Sequence, residues 1–184
     1  MGEHCGELIE VAVNSDVIFR GRLIDLRVDT VRLPSGRTTT REVVVHPGAV
    51  AVVPITGEGE VILVRQFRHA VGQVLSEIPA GTLGPGEDPD ECARRELEEE
   101  TGLSPGELHK LFECYSAPGY CSELLHFYLA SKLSPCQSTP EADENIALLR
   151  VPLSQAMNMV LSGEVRDAKS ICGLMLAERW LRRR

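Results

Sequence analysis

Two continuous apolar runs, GAVAVVPI at 48–55 and VILVRQF at 61–67, constrain the fold more than any other feature of the sequence. The turn sequence TGEGE separates them. A strand that is covered on both faces needs apolar residues at successive positions, whereas a half-exposed strand alternates apolar with polar residues. The two runs therefore predict central strands of a sheet.

The rest of the chain supplies more strands and, towards its end, helices. LRVDTVRL and TTTREVVV, joined by the turn PSG, predict an antiparallel hairpin within 16–45. Three further strands and two amphipathic helices are predicted at 108–117, 124–131 and 147–152, and at 153–161 and 168–181. Mixed strands with a few helices on their faces indicate an α/β sandwich.

Composition excludes several classes of protein. A chain of 184 residues with 43% apolar residues is large enough for one domain with a real core and a small extension. The net charge of -8 disfavours a nonspecific nucleic-acid binder. No apolar run reaches 18 residues and no secretion signal is recognised, so neither membrane insertion nor export is expected. Six scattered cysteines without a CxxC pair indicate reduced thiols and a cytoplasmic protein.

A Gly- and Pro-rich segment, EIPAGTLGPGEDPDE at 77–91, predicts a loop that leads into a helix. Asp88 is the predicted N-cap, Pro89 suits the first helical position, and Glu91 has the spacing of a capping box. Gly102 is the predicted helix stop.

The acidic residues of this helix fall into two groups on a helical wheel. Glu91, Arg94, Arg95 and Glu98 share one side and have the spacing of i,i+4 ion pairs, which indicates a solvated face. Glu96 and Glu100 lie instead in the apolar stripe, and Glu99 borders it. Like charges on a half-buried face are unfavourable unless a cation lies between them. Oxygen ligands favour Mg²⁺, with Mn²⁺ as a substitute.

Charge supports the same interpretation. From 81 to 103 there are eight acidic and two arginine side chains, a net charge of -6. Such a field repels an anionic substrate unless divalent cations reverse its sign.

The spacing of these residues resembles the Nudix box without a departure. Gly81 is followed after five residues by Glu87 and after seven more by RELEEETGL, residues 95–103. The resemblance implies a Nudix-type α/β/α sandwich with a mixed sheet, and hydrolysis of a nucleoside diphosphate linked to another group. It assigns divalent cations to Glu96, Glu99, Glu100 and the carbonyl of Ala80, while Arg95 and Glu87 brace the loop and helix.

Three further segments, RQFR, EIPAG and SAPG, resemble the ADP-ribose pyrophosphatase branch of this family, in which a proline lies about fifteen residues beyond the box. Pro118 lies fifteen residues beyond Leu103. By this resemblance Arg68 contacts a substrate phosphate, and Glu77 supports the metal or substrate hydroxyl groups. The alternatives are a surface arginine, a salt bridge at the rim of the site, and a proline that only forms a turn.

Nudix enzymes often recruit their general base from a distant loop, and the resemblance assigns that role to Glu144 in TPEADENIALL. Branch members carry a second acid three residues later, where this chain has Ala147. Glu99 is the competing base, and a purely solvated charge run around Glu144 is the third possibility. The predicted catalytic set is Glu144, Glu99 and Arg95.

Related enzymes form homodimers in which amino-terminal strands complete the partner's site. This implies a dimerising β-hairpin extension at 1–47 and a Nudix hydrolase domain at 48–184. Phe19 or Arg41 then helps to hold the adenine or the terminal ribose.

The leading functional hypothesis is Mg²⁺-dependent hydrolysis of ADP-ribose to AMP and ribose 5-phosphate. The alternative is a nucleotide-sugar pyrophosphatase that acts on a GDP- or UDP-linked hexose, such as GDP-mannose or UDP-glucose. A Nudix-fold nucleotide sensor without activity and an acidic surface helix on an unrelated protein are less favoured, since a sensor needs no metal ligands and the box spacing is specific.

Overall fold

The computed structural model of the protein describes residues 8–137 and 145–183. These residues form ten strands and three helices. The strands are β1 (Val11–Arg20), β2 (Asp25–Arg32), β3 (Thr38–Val45), β4 (Ala49–Pro54), β5 (Glu60–Arg68), β6 (Gln73–Glu77), β7 (Ala80–Thr82), β8 (Leu103–Tyr115), β9 (Leu124–Pro135) and β10 (Ile146–Pro152). The helices are α1 (Pro89–Thr101), α2 (Leu153–Ser162) and α3 (Ala168–Leu181).

The chain divides into two compact units. The first contains the described residues up to Pro47 together with Tyr115–Leu124, and the second contains Gly48–Cys114 and the residues from Leu125 onward. No pattern in the sequence indicated that Tyr115–Leu124 belongs with the amino-terminal strands.

The first unit is built on an antiparallel sheet with the strand order β1-β2-β3. Strands β2 and β3 match the predicted hairpin, with Arg32 opposite Thr38 and Asp25 opposite Val45. The prediction of only two strands was wrong, because β1 pairs with β2 along its length. Register shifts after Ala12 and after Val17 interrupt the alternation of β1. A strand with such bulges does not keep the period of two on which sequence recognition depends.

The second unit has β4 at its centre. All six residues of this strand are buried, as the continuous apolar run predicted. It pairs in parallel with β9 and antiparallel with β7, which gives a mixed sheet of order β7-β4-β9-β8. A second sheet has the order β10-β5-β6 and is antiparallel.

Alternate side chains of β4 serve two different cores. Val50 and Val52 pack with α1 on one face of the sheet. Ala51 and Val53 belong to the larger core on the other face, which includes Ala156 of α2 and residues of α3. Helices thus cover both faces, and the predicted α/β/α sandwich is confirmed.

Two short strands lie where none was predicted. The Gly- and Pro-rich segment holds β7, whose three residues pair with Ala49–Ala51, and β6 precedes it. Three residues are too few to show a period, and β7 was therefore not predicted. The strand forms because β4 offers an edge with backbone hydrogen-bonding groups. Across the described part of the chain, no helix is both long and apolar enough to span a membrane.

Candidate active site

Helix α1 carries most of the predicted ligands and is fixed at both ends. The Asp88 carboxylate accepts hydrogen bonds from the backbone amides of Asp90 (2.8 Å) and Glu91 (3.4 Å), as an N-cap does. Gly102 ends the helix in the left-handed conformation, with φ 68° and ψ 25°. Both predicted caps are confirmed.

Two hydrogen bonds also tie the ends of α1 to β9 and to the residue that follows this strand. The buried Tyr128 hydroxyl donates to the Asp90 carboxylate at 2.7 Å. Burial and this carboxylate raise the pKa of Tyr128, so the phenol stays protonated. At the other end the amide of Cys136 donates to the carbonyl of Gly102 at 2.9 Å. The helix is therefore held against the sheet from its first turn to its last residue.

The wheel prediction for the glutamates of α1 is confirmed. Glu96 and Glu100 are only 9% and 7% exposed, on the same face as Cys92, Ala93 and Leu97. Glu99 is half-buried at the border. An ionised carboxylate in such a place needs a positive partner.

Arg95 supplies part of that positive charge. Its Nε and Nη2 donate to the two oxygens of Glu87 at 2.9 and 3.1 Å. Its Nη1 donates to Glu96 at 2.7 Å and to Glu99 at 2.9 Å. One guanidinium thus joins the loop before α1 to two acidic residues of the helix.

This network perturbs the groups that form it. Hydrogen bonds from Arg95, and then from the amide of Gly84, lower the pKa of Glu87 to about 2. The hydrogen bond with Glu87 and the neighbouring carboxylates raise the pKa of Arg95. Glu87 is therefore ionised at every physiological pH and holds Arg95 in place.

The solvated-face interpretation of Arg94, Arg95 and Glu98 was wrong in its pairing. Instead of meeting Glu98, Arg94 donates to the carbonyl of Pro105 at 3.1 Å. Glu98 accepts from the Ser104 hydroxyl at 2.5 Å. These partners lie in β8, and a helical wheel contains no information about a strand that follows the helix.

Gly81 provides the space that the Glu96 carboxylate occupies. A Cβ at position 81 would lie 1.8 Å from Cδ of Glu96, far inside any permitted contact. Next to it, the amide of Ala80 donates to Glu100 at 3.2 Å. The backbone at 80–81 therefore lies directly against the two buried carboxylates.

These residues fit a hard divalent cation. The donor set is three carboxylates and a backbone carbonyl, all oxygen, which suits Mg²⁺ or Mn²⁺. Among residues 8–137 and 145–183 no three acidic, His or Cys side chains stand in a preassembled metal cluster. Arg95 donates to one oxygen of Glu96 and to one oxygen of Glu99, and each of these carboxylates has a second oxygen with which to ligate a cation.

A second charged cluster contains two of the predicted substrate-side residues, Arg68 and Glu77. The guanidinium of Arg68 forms a bidentate pair with Glu77, with both N–O distances at 2.8 Å. Lys169 of α3 also donates to Glu77. Burial tends to raise the pKa of Glu77, but the hydrogen bonds and charges of Arg68 and Lys169 outweigh it and lower that pKa to about 2.

Sequence reasoning did not find Lys169. It is 92 residues from Glu77 along the chain, and no motif connects the two. Only the packing of the start of α3 against the end of β6 brings them together.

The first unit contains the remaining described candidates. Arg41 forms an ion pair with Glu10, with an N–O distance of 2.5 Å. Arg41 and Pro118 line the same pocket of about 440 Å³, together with Tyr115 and Tyr120. Phe19 lies elsewhere on this sheet, since it pairs with Leu26 of β2 while Arg41 pairs with Asp29. The predicted base Glu144 and its acidic neighbours lie outside the described residues.

Comparison with known proteins agrees with this geometry. The NUDIX domain family matches residues 45–173, and the nucleoside diphosphate sugar hydrolase N-terminal domain matches residues 12–44. An ADP-ribose pyrophosphatase of Bacillus subtilis is 44% identical over 165 residues, which cover 89% of each chain. A GDP-mannose pyrophosphatase of Escherichia coli is 39% identical over 134 residues, covering 67% of this chain and 69% of the relative.

A solved structure described as an ADP compounds hydrolase superposes with a TM-score of 0.86 and 26% sequence identity, covering 95% of this chain and 96% of the other. The two family matches together span residues 12–173 and so include parts of both units of the fold. The chain therefore belongs to the Nudix hydrolase family and carries the amino-terminal domain found in nucleoside diphosphate sugar hydrolases.

Proposed function

We propose that this protein is a Mg²⁺-dependent pyrophosphatase that hydrolyses ADP-ribose to AMP and ribose 5-phosphate. The observation that carries the proposal is that the short segment 77–80 contacts both a half-exposed guanidinium and the carboxylate helix. Glu77 binds the guanidinium of Arg68, and three residues later the amide of Ala80 donates to the Glu100 carboxylate at 3.2 Å. A diphosphate needs this combination of acidic metal ligands and a cation that binds phosphate.

Glu96, Glu99, Glu100 and the carbonyl of Ala80 hold the cation in this proposal. Bound Mg²⁺ or Mn²⁺ neutralises phosphate oxygens and makes a coordinated water more acidic. Arg95 and Glu87 orient two of the ligands, through the contacts described above. Gly81 leaves room for the carboxylate of Glu96.

Other residues of the chain handle the substrate and the proton. Arg68 binds a phosphate with its guanidinium, which is oriented by its ion pair with the buried Glu77. Glu144 takes the proton from the attacking water, and Glu99 is the alternative base. A carboxylate acts as a general base when it lies within hydrogen-bond reach of the water from which it takes the proton.

The choice of ADP-ribose follows the relatives. The relative that shares 89% of its length with this chain is named for ADP-ribose. The relative named for GDP-mannose matches a shorter part, so a GDP-mannose or UDP-glucose type of substrate is the second candidate. The pocket lined by Arg41, Pro118 and two tyrosines in the first unit has aromatic rings on which a nucleobase stacks.

We further propose a homodimer in the cytoplasm. All ten residues of β1 are exposed, and Val11, Val17, Ile18 and Phe19 are among them. An apolar strand with an open edge is a surface that proteins ordinarily cover. In this proposal a second copy of the chain covers the strand.

Product analysis tests the proposed function. The protein is incubated with ADP-ribose, GDP-mannose, UDP-glucose and diadenosine compounds, with Mg²⁺, with Mn²⁺ and with excess chelator. We expect AMP and ribose 5-phosphate from ADP-ribose at the highest kcat/KM, and loss of turnover in chelator. A higher kcat/KM for a nucleotide hexose would favour the second candidate, and full turnover in chelator would exclude a metal-dependent reaction.

A further inference from the structure

We infer that Lys169 is a positioning residue of the hydrolytic site, because it holds the buried carboxylate that orients the guanidinium of Arg68. The inference rests on the proposed function, in which Arg68 binds a substrate phosphate. It concerns a residue that no motif of the sequence identified.

The first argument is the burial order within the cluster. The Glu77 side chain is 1% exposed, that of Lys169 is 16% exposed and that of Arg68 is 39% exposed. The anion therefore lies beneath both cations, and Arg68 is the member that faces solvent. Nε and Nη2 of Arg68 are used on Glu77, so the guanidinium presents Nη1 to an incoming acceptor in a direction that Glu77 determines.

The second argument is that Lys169 shares one oxygen with Arg68. Both Nη2 of Arg68 and Nζ of Lys169 donate to Oε2 of Glu77. If only Arg68 held it, the Glu77 carboxylate could rotate about its Cγ–Cδ bond, and the guanidinium bound to both of its oxygens would rotate with it. A second donor on the same oxygen removes that freedom.

The third argument is the unusual position of Lys169 in α3. It is the second residue of the helix after the N-cap Asp167, where a positive charge is unfavourable because the helix amino terminus is itself positive. Asp167 offsets part of that cost, at 3.0 Å from the Lys169 ammonium. A lysine at this position is explained by what it binds, which is Glu77.

The backbone ties the same two elements together. Asp167 accepts from the amide and the hydroxyl of Ser170, at 2.9 and 2.5 Å. The Ser170 hydroxyl oxygen accepts from the amide of Ile78 at 2.8 Å. The start of α3 is thus fixed to the residue that follows Glu77, so the Lys169 ammonium and its acceptor keep their relative position.

A purely stabilising role is the competing explanation. Buried ion pairs are weak evidence for stability, because apolar side chains of similar size often stabilise as well. The two explanations differ in what a substitution changes: stability alone, or the binding of a phosphate by Arg68.

The test is a double-mutant cycle on the full-length protein with ADP-ribose and Mg²⁺. The variants are Lys169→Met, Arg68→Met and both together, with Lys169→Arg as the conservative replacement and Lys110→Met as a matched control. Lys110 is a lysine of this same unit that also pairs with a glutamate, at 2.9 Å from Glu113. Each variant is measured for KM, kcat and Tm.

We expect Lys169→Met to raise KM about tenfold, the scale of one charge-assisted hydrogen bond, while kcat changes less than about threefold. Lys169→Arg should restore most of the affinity, and Lys110→Met should leave KM unchanged. In the Arg68→Met background the second substitution should change KM by less than about twofold, because Lys169 acts through Arg68.

Three results would overturn the inference. An unchanged KM with a lower Tm would assign Lys169 to stability alone. Independent, additive losses in the cycle would mean that Lys169 contacts the substrate itself. A parent that does not hydrolyse ADP-ribose would overturn the proposed function and the inference together. If Lys169→Met does not fold, Lys169→Leu also removes the donor to Glu77, and its KM decides in the same way.

Discussion

Replacing Gly81 with alanine tests whether the Glu96 carboxylate is a metal ligand in the position that it occupies beside Gly81. The new Cβ would lie 1.8 Å from Cδ of Glu96 and 2.0 and 2.2 Å from its two oxygens. An ordinary contact begins near 3.4 Å, so the carboxylate has to withdraw by roughly 1.5 Å. Metal ligands tolerate errors of only about 0.2 Å. A displacement of this size in a catalytic group costs on the order of 10²-fold in rate.

The fold itself should tolerate this change. The three nearest atoms belong to the end of one flexible side chain, and alanine is acceptable in a strand. We expect the Tm of Gly81→Ala to stay within about 4 °C of the parent, which corresponds to roughly 1 kcal/mol for a chain of this length. Loss of activity without loss of fold is the signature of a displaced ligand.

The assay has a reading that does not depend on turnover. Calorimetric titration with Mn²⁺ gives the Kd of the metal, and kcat/KM for ADP-ribose and the Tm are measured in parallel. Gly57→Ala is the control, since a Cβ there meets nothing within 4 Å. Gly81→Ala with the parent's Kd and a kcat/KM within about threefold would refute the reasoning, because that ratio is under 1 kcal/mol of transition-state stabilisation.

Three further predictions concern the base, acid stability and assembly. Glu144→Gln should lower kcat by about 10² to 10⁴ with little change in KM; a kcat within about threefold would reject Glu144, and Glu99→Gln would then have to show the large loss. Glu77 has a folded-state pKa of about 2 against an ordinary 4.5, so the stability it contributes is present above pH 4.5 and is lost as the pH falls towards 2. The free energy of unfolding, measured with urea at several pH values in this range, should fall with pH in the parent and fall less steeply in Glu77→Gln. An equal dependence on pH in both proteins would contradict the prediction. Deleting residues 1–45 should abolish both the dimer, by sedimentation, and the activity; a truncated monomer with normal turnover would show that one subunit completes the site.

Local and periodic signals explain most of what the sequence predicted. The central strand β4 is buried at every position, as its continuous run of apolar residues predicted. The caps of α1 are properties of single residues, Asp88 and Gly102. Burial of Glu96 and Glu100 follows from the 100° step of a helix, once the apolar stripe is known.

The features that sequence reasoning missed depend on contacts between distant segments. Arg94 donates to the carbonyl of Pro105, eleven residues later in β8, rather than to Glu98 one turn away. The pairing of Lys169 with Glu77 needs α3 and β6 to meet. Strand β1 has bulges that break its alternation. No local pattern determines any of these three.

The attachment of α1 at one end to β9 and at the other to the residue after β9 has a consequence for the motions of the protein. Asp90 is bonded to Tyr128 near its start and Gly102 to Cys136 at its end, and the side chains between them reach complete burial at Cys92, Ala93 and Leu97. A helix held in this way has no cheap local opening, so its amide hydrogens exchange with solvent only when the whole unit unfolds. Strand β1, exposed along its full length, belongs at the opposite end of the exchange scale.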